Sequence, residues 1–240
     1  MPVPVIRHYE SVAPVVHIHA VSLNNNSAFV AKDIASRLAY AKNPLKRCLV
    51  KYTEHRLTPD AGAHGTPVTV TSVYDSLRHA PSPSNPQHEV DVYNTDTPAK
   101  DLNPDAVVLV IPSYGQFVTL EDGSRVKGPM VPTCFRKVLT SQKLWSTAKP
   151  PFGPTPVFIV GSGNRTFGSD FCAAIPEARE LIQVHQNQCH IHTQELDLRG
   201  TQSERDQLLV AVRDSAVRQA YSTFIINDAP LEAKLRPAAI

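Results

Sequence analysis

Five segments of the chain carry a strand pattern, and three of them are almost continuously apolar. Residues 12–23, 105–117 and 156–164 are rich in Val, Ile, Ala and Leu, and each run ends in a polar or glycine-containing stretch. Such runs are typical of strands that are buried on both faces of a parallel sheet. Residues 88–96 alternate between polar and apolar positions, and residues 188–200 have the polar character of an edge strand.

Four segments show helical spacing of their apolar residues and fall between or after these strands. They cover residues 27–41, 131–145, 169–186 and 201–220. Pro176 is expected to kink or split the third helix, because a proline inside a helix removes a hydrogen bond. Buried strands that alternate with helices predict an α/β fold, with a doubly wound, five-stranded parallel sheet and helices on both faces.

The pattern also predicts how the chain is divided. We expect a single domain over residues 12–220, with terminal extensions at 1–11 and 221–240. Residues 43–88 have a weak, proline-rich pattern with one alternating piece, and we expect them to be an insertion that contains a hairpin or an edge strand.

Composition excludes several classes of function. Of the 240 residues, 42% are hydrophobic and 19% are charged, and no apolar run reaches the roughly 18 residues of a membrane span. The net charge of +2 comes without a basic stripe, so nucleic acid is not an expected partner. The four cysteines lack CxxC spacing, and the N-terminus lacks the apolar core of a signal peptide. We therefore expect a cytoplasmic protein that binds neither membrane nor nucleic acid.

Three loops follow the apolar strands and should lie together at the carboxyl edge of the sheet, where such folds bind ligands. The first loop, 22–27, offers side-chain donors from Ser22, Asn24, Asn26 and Ser27, together with the backbone amides of a helix N-terminus. These groups suit a phosphate dianion. The alternative is an ordinary N-cap, in which Asn26 or Ser27 caps the helix and binds nothing.

The other two loops suit a planar ring. Tyr114 lies beside Gly115 in the second loop, and the third contains Asn164, Thr166 and Phe167. Aromatic side chains can stack on a flat ligand, and glycine allows close approach of the backbone. The alternative is that both aromatic residues are half-buried packing residues. A phosphate site beside two ring sites describes flavin mononucleotide (FMN), and the lack of carboxylates within 112–117 and 161–168 suits an anionic reduced flavin.

Other candidate chemistry is weaker. Two pairs of histidines share a strand face, and a cysteine adjoins the second pair, but no third ligand has a metal-site spacing; the residues are His17, His19, His190, His192 and Cys189. Ser22 has no neighbouring base or elbow motif that would make it a nucleophile. We therefore assign neither a metal site nor a catalytic residue.

Several motifs together resemble one family. They are Ser22, Asn26-Ser27 with Phe29-Val30, IPSYG (111–115), GPMVPTCFRKVL (128–139), GSGNRTFGSDFCAA (161–174) and LDLRGTQSERD (196–206). In these segments the chain resembles the NrdI family, flavodoxin-like partners of class Ib ribonucleotide reductase. GNRTFG with the following Phe-Cys is the most specific piece. The resemblance covers roughly residues 12–40 and 88–215.

The resemblance implies a flavodoxin-like fold and an FMN cofactor. Once reduced by an electron-donating reductase or redoxin, such a protein reacts with dioxygen. It then supplies a reduced oxygen species to the dimanganese radical subunit of class Ib ribonucleotide reductase, where the tyrosyl radical is assembled. Two alternatives stay open: a general electron-transfer flavodoxin, and a divergent interaction protein that has the fold without the flavin.

The resemblance also assigns the cofactor-binding residues. It implies that the first loop binds the phosphate and that the other two loops bind the ring. The expected cofactor-binding residues are Ser22, Asn24, Asn26, Ser27, Ser113, Tyr114, Gly115, Asn164, Thr166, Phe167 and Gly168. Cys172 would lie near the flavin, although a free cysteine is more often a small buried apolar residue, which is the interpretation that we favour.

Overall fold

A computed structural model describes residues 13–22, 25–43, 46–57, 66–74, 104–113, 117–140, 155–185 and 190–227. Eight strands and four α-helices occupy this part of the chain. The strands are β1 (Val15–Ser22), β2 (Leu49–Arg56), β3 (Val68–Tyr74), β4 (Ala106–Pro112), β5 (Phe117–Thr119), β6 (Arg125–Lys127), β7 (Val157–Gly163) and β8 (Ile191–Asp197). The helices are α1 (Asn26–Ala39), α2 (Thr133–Leu139), α3 (Ala174–His185) and α4 (Gln202–Asn227), and a short 3₁₀ segment covers Arg165–Asp170.

The main sheet has six strands in the order β3-β2-β1-β4-β7-β8. All neighbours pair in parallel except β2 and β3, which pair antiparallel. The five parallel strands follow the 2-1-3-4-5 order of flavodoxin-like folds. The predicted α/β class and parallel sheet are therefore confirmed, with β3 as an additional edge strand. Strands β5 and β6 form a separate two-stranded sheet.

The second parallel strand does not come from the segment that the sequence pattern suggested. Residues 43–88, expected to be an insertion, contain β2 and β3, and both belong to the main sheet. β2 pairs with β1 from Val15 opposite Leu49 to Ser22 opposite Arg56. The predicted strand at 88–96 lies outside the described residues, as do residues 1–11 and the end of the chain after residue 227.

Two apolar cores cover the two faces of the sheet, which explains the helix pattern. One core joins α1 and α4 to residues of β1, β4 and β7 such as Ile18, Val108 and Val160. The other joins α2 and α3 to the opposite side chains of the same strands, such as Leu109 and Ile159. Successive side chains along each strand therefore point alternately into one core and into the other, as a doubly wound sheet requires.

Two helices differ from their predicted form. Pro176 does not kink or split a helix, because α3 begins at Ala174 and places the proline in its first turn, where the missing N–H costs little. Phe29, expected on the apolar face of α1, is 41% exposed, while neighbours such as Val30 and Ile34 are buried. No helix in the described ranges combines the length and apolar character needed to cross a membrane.

Glu177 on α3 fastens the segment before α2. Its carboxylate accepts hydrogen bonds from the backbone N–H groups of Met130 at 2.7 Å and Val131 at 3.1 Å. It also forms an ion pair with Arg136 on α2. One acidic side chain therefore satisfies two backbone donors in a partly buried position and joins two helices.

We expect Glu177→Ala to lower the free energy of unfolding by about 2–4 kcal/mol, since it leaves two backbone donors without an acceptor. Glu177→Gln keeps one carbonyl acceptor and should lose roughly half as much. Urea unfolding monitored by circular dichroism measures both, with the exposed Glu180→Ala as control. A Glu177→Ala variant as stable as this control would contradict the assigned role.

Histidine side chains lie together on the face of the sheet that is opposite to α1. The ring of His19 on β1 stacks near that of His55 on β2, with centroids 6.2 Å apart. Burial, followed by the charges of His17, His55 and Lys51, lowers the pKa of His19 to about 3. Within the described ranges no group of three or more His, Cys, Asp or Glu side chains is placed to hold a metal ion.

The low pKa of His19 predicts acid sensitivity. The folded-state pKa of about 3 lies below the ordinary 6.5, so the unfolded chain binds the proton more tightly. The contribution of His19 to the free energy of unfolding is therefore fully present above pH 6.5. Below that pH it falls by up to about 1.4 kcal/mol per pH unit. Burial raises the pKa of Asp105, and this shift has the opposite effect on how the free energy of unfolding depends on pH. His19→Gln should flatten the difference in unfolding free energy between pH 7 and pH 5, and an unchanged difference would contradict the assignment.

Candidate functional site

The ends of three adjacent parallel strands form the candidate site. The strand order reverses between β1 and β4, and such switch points open a crevice beyond the carboxyl ends of the strands. In the register, Ala20 lies opposite Val110, and Pro112 lies opposite Ser162. Ser22 therefore ends β1 at the level where β4 and β7 end. The described ends of the three predicted loops thus lie along one edge.

The N-terminus of α1 faces this edge without a side-chain cap. Asn25 is the N-cap residue, adopts a left-handed conformation with φ 64°, and makes no capping hydrogen bond with its side chain. Asn26 and Ser27 lie inside the helix. The simple N-cap alternative is therefore not supported, since neither residue caps the turn. The first-turn N–H groups and the helix dipole remain available to an anion.

Two buried hydroxyl groups adjoin this turn. Ser22 and Ser27 are each only 1% exposed. Their Oγ atoms have no hydrogen-bond partner within the described part of the chain. Buried polar atoms are nearly always satisfied in folded proteins, so these two hydroxyls make the turn a candidate site for a bound group. Both residues were predicted from the sequence.

A guanidinium group reaches the same turn from the other end of the chain. Arg199, in the loop between β8 and α4, donates from Nε to Oδ1 of Asn26 at 3.0 Å. Its Cζ lies 4.5 Å from the centroid of the Phe29 ring. The exposed face of Phe29 therefore supports a cation, which explains why this aromatic residue does not join the core. The terminal amino groups of Arg199 make no hydrogen bond or ion pair with another described residue.

Other contacts hold the Arg199 loop in place. Arg205 donates to the backbone carbonyls of Arg199 at 3.0 Å and Gly200 at 2.7 Å, and it pairs with Asp33 of α1 at 3.0 Å. Ser162 at the end of β7 donates its hydroxyl to the carbonyl of Leu198 at 2.6 Å. The loop is therefore tied both to α1 and to the strand edge, which fixes where Arg199 points.

The second loop is described only in part. Ser113 accepts a hydrogen bond from the N–H of Ala174 at 3.2 Å, so its hydroxyl caps the first residue of α3. This contact gives Ser113 a structural role beside the site. Tyr114 and Gly115, together with Asn24 of the first loop, lie outside the described residues. Their assignment to the cofactor stays a prediction.

The third loop is ordered by its own side chains. Oδ1 of Asn164 accepts from the N–H of Thr166 at 2.9 Å and from its hydroxyl at 2.8 Å. Phe167 is 66% exposed at the tip, so it is not the half-buried packing residue of the alternative interpretation. Gly168 has φ 57°, a conformation that favours glycine. The loop therefore presents an aromatic ring to solvent on a rigid turn.

Two acidic side chains lie next to this loop. Asp197 of β8 accepts from the N–H of Arg165 at 3.1 Å, and Asp170 forms an ion pair with Lys127. Residues 112–117 and 161–168 themselves contain no carboxylate, so both acidic groups come from positions outside them. Each of these carboxylates is already engaged by a donor, which limits its repulsion of an anionic ligand.

Cys172 packs against the strand beside the site. It is 2% exposed, and burial raises the pKa of its thiol to about 11. A methyl group added at Gly161 would meet Cys172 Sγ at 2.8 Å and Ile175 Cδ1 at 2.7 Å. The thiol is therefore a protonated packing group that requires a glycine opposite it, as the favoured interpretation predicted.

No family model and no curated protein matches the sequence. Among solved structures, a short-chain flavodoxin associated with a bacterial microcompartment is 14% identical, with 86% of this chain and 99% of that chain covered and a TM-score of 0.46. The flavodoxin of Streptococcus pneumoniae TIGR4 is 13% identical over 87% of this chain and 99% of its own, with a TM-score of 0.43. The strand order, rather than these distant similarities, defines the fold.

Proposed function

We propose that this chain is an FMN-binding redox protein. The observation that carries the proposal is the group of donors at the N-terminus of α1. There the buried hydroxyls of Ser22 and Ser27, which have no hydrogen-bond partner among the described residues, lie beside first-turn amides without a side-chain cap and near the guanidinium of Arg199. A helix N-terminus with added donors suits a phosphate dianion, because both its dipole and its free N–H groups favour negative charge.

The rest of the edge suits the flavin ring. Phe167 offers an exposed aromatic face, and the adjacent turn is fixed by Asn164 and Thr166. Tyr114 and Gly115 follow the neighbouring strand in the sequence, and we assign them to the other side of the ring. When bound, FMN would supply the capacity to accept and donate electrons, while the protein supplies binding, orientation and electrostatics.

The residues of this chain have separate roles in that site. The hydroxyls of Ser22 and Ser27 and the amides of α1 donate to the phosphate, and Arg199 balances its charge. Asn26 contributes by holding Arg199, since its Oδ1 accepts from Nε. The ion pair of Lys127 with Asp170 keeps one nearby carboxylate from opposing an anionic ring.

The finer proposal is that the reduced protein supplies a reduced oxygen species to the dimanganese radical subunit of class Ib ribonucleotide reductase. Its support is the resemblance of GSGNRTFGSDFCAA (161–174) and LDLRGTQSERD (196–206) to the NrdI family. The second of these segments contains Arg199 and the first contains Phe167, so both adjoin the proposed cofactor edge.

An activation assay separates this role from general electron transfer. The FMN-loaded chain is reduced without oxygen, mixed with a manganese-loaded class Ib radical subunit and exposed to dioxygen. We expect a tyrosyl radical signal in the electron paramagnetic resonance spectrum that is absent when the chain is omitted. A flavin-loaded chain that is oxidised by dioxygen without producing the radical would favour the electron-transfer flavodoxin instead.

A further inference from the structure

A concave surface lies at the C-terminal end of α1 and encloses about 370 Å³. Four cationic side chains line it: Arg37, Lys42, Lys46 and Arg213. The other lining residues are aliphatic, apart from one tyrosine, and none is a carboxylate. A pocket with this composition, which we call the basic pocket, selects for an anion that carries an apolar part.

The basic pocket is separate from the proposed flavin site. Asn26 and Ser27 begin α1, whereas Arg37 lies in its last turn. The helix has 14 residues, which corresponds to roughly 20 Å at about 1.5 Å per residue. The two basic surfaces therefore lie at opposite ends of one helix and can be occupied independently.

The four cations differ in how firmly they are held. Arg37 pairs with Asp33 at 3.4 Å and also with Asp206, and Arg213 pairs with Asp214 at 3.1 Å. These pairs orient the two guanidinium groups.

The two lysines are exposed at the rim of the pocket. Neither Lys42 nor Lys46 has a side-chain ion pair with another residue of the described ranges. Carboxylates already balance the charges of Arg37 and Arg213, so the attraction for an incoming phosphate comes mainly from Lys42 and Lys46, and the two guanidiniums add oriented donors beside them.

The helix dipole does not cancel this attraction. A helix C-terminus repels anions through its unpaired carbonyls. Here the carbonyl of Leu38 accepts from the N–H of Cys48 at 3.0 Å, and that of Ala41 accepts from Nε of Arg47 at 2.9 Å. Donors therefore occupy carbonyls at this helix end, and Arg47 adds a further positive charge next to the pocket.

The base of the pocket is apolar and rigid. Leu38 is 1% exposed, and Tyr40 and Leu209 are partly buried and pack against the core between the sheet and α1 and α4. Flat or apolar groups gain burial on such a surface, while charged groups remain at the rim. The volume lies near the lower end of the range for small-molecule sites, about 300–1,000 Å³.

We propose that the basic pocket binds a small organic phosphate with a planar apolar group, of mononucleotide size. The phosphate contacts the cations at the rim, and the planar group lies against Leu38, Tyr40 and Leu209. This site would let a phosphorylated metabolite act on the protein at a distance from the flavin edge. The proposal does not depend on flavin binding.

Calorimetric titration with adenosine 5′-monophosphate tests the proposal, using the full chain saturated with FMN and the same chain without added FMN. We expect 1:1 binding in both, weaker binding of inorganic phosphate and of adenosine, and loss of affinity as salt is raised. The double variant Lys42→Ala/Lys46→Ala should bind the nucleotide at least about 10-fold more weakly. The double variant Lys137→Ala/Arg179→Ala removes the same charge from exposed positions on α2 and α3 and should bind normally.

Three results would overturn the proposal: no nucleotide binding at millimolar concentration, equal weakening in both double variants, or competition between the nucleotide and FMN. Preferential binding of a short acidic peptide over the nucleotide would also overturn it. Thermal unfolding of each variant checks the fold, and Leu209→Ala provides a second variant that keeps every charge. This variant should bind the nucleotide more weakly and should bind inorganic phosphate with unchanged affinity.

Discussion

Arg199→Ala is expected to lower the affinity of the chain for FMN by about 10- to 100-fold, the cost of removing a charged hydrogen-bond donor from a phosphate. The side chain is positioned by Asn26 and lies against Phe29, so its amino groups are held at the N-terminus of α1. Riboflavin, which lacks the phosphate, should bind the variant and the parent equally. Titration of flavin fluorescence measures both ligands.

The controls separate charge from position. Arg179→Ala removes an equal charge from an exposed site on α3 and should leave FMN affinity unchanged. Arg199→Lys keeps the charge without the planar fork and should fall between parent and alanine variant. Equal loss of FMN and riboflavin affinity in Arg199→Ala would mean that the residue supports the fold and not the phosphate.

Gly161→Ala is expected to lower the free energy of unfolding by about 2–3 kcal/mol, because the added methyl group has no space. It would lie 2.7 Å from Ile175 Cδ1, 2.8 Å from Cys172 Sγ and 2.9 Å from Cys172 Cβ. Two of these atoms belong to the turn that precedes α3, so the turn must move away from β7. Urea unfolding monitored by circular dichroism gives the size of the effect.

Two further variants test whether the loss of stability depends on how close the neighbouring atoms are. At Gly163 the nearest atoms to an added methyl group are 3.3 Å away, so Gly163→Ala should cost clearly less than Gly161→Ala. Combining Gly161→Ala with Ile175→Val removes the closest contact and should recover part of the lost stability. If Gly161→Ala were no less stable than Gly163→Ala, the close packing of β7 against Cys172 would be refuted.

The buried elements could be predicted from the sequence because their pattern is set by the core. β4 and β7 are largely apolar on both faces, β1 is apolar on the face that packs against α1, and α1 has regularly spaced buried residues, so local pattern and final environment agree. The parallel fold and the shared edge of three loops follow from these elements alone. Ser22 and Ser27 were proposed in the same way, as hydroxyl residues beside a helix start, and their assignment to a ligand stays a prediction.

β2 was missed because its sequence, LVKYTEHR, is not continuously apolar, although Val50 and Tyr52 belong to the core. It includes buried Glu54, which accepts a hydrogen bond from the Tyr52 hydroxyl at 3.1 Å and pairs with Arg56 at 3.1 Å and Lys32 at 3.5 Å. A charged network therefore occupies positions that a buried strand usually fills with apolar residues. The hydrophobic pattern alone contains no signal for such a strand.

Arg199 was missed for a different reason. It lies 173 positions after Asn26, and only the return of the chain through β8 brings the two together. Residues 22–27 contain no lysine or arginine, and the positive charge comes from another loop. An exposed Phe29 on α1 together with an arginine after the last strand could have indicated this contact. The two residues can be related to each other only once the strand order is known.

Equilibrium titration of the flavin-free chain with FMN and with riboflavin tests the central claim most directly. The account predicts one FMN per chain and binding at least about 100-fold tighter than that of riboflavin, because the donors at the N-terminus of α1 interact with the phosphate. A chain that binds neither flavin, or binds both with equal affinity, would contradict it.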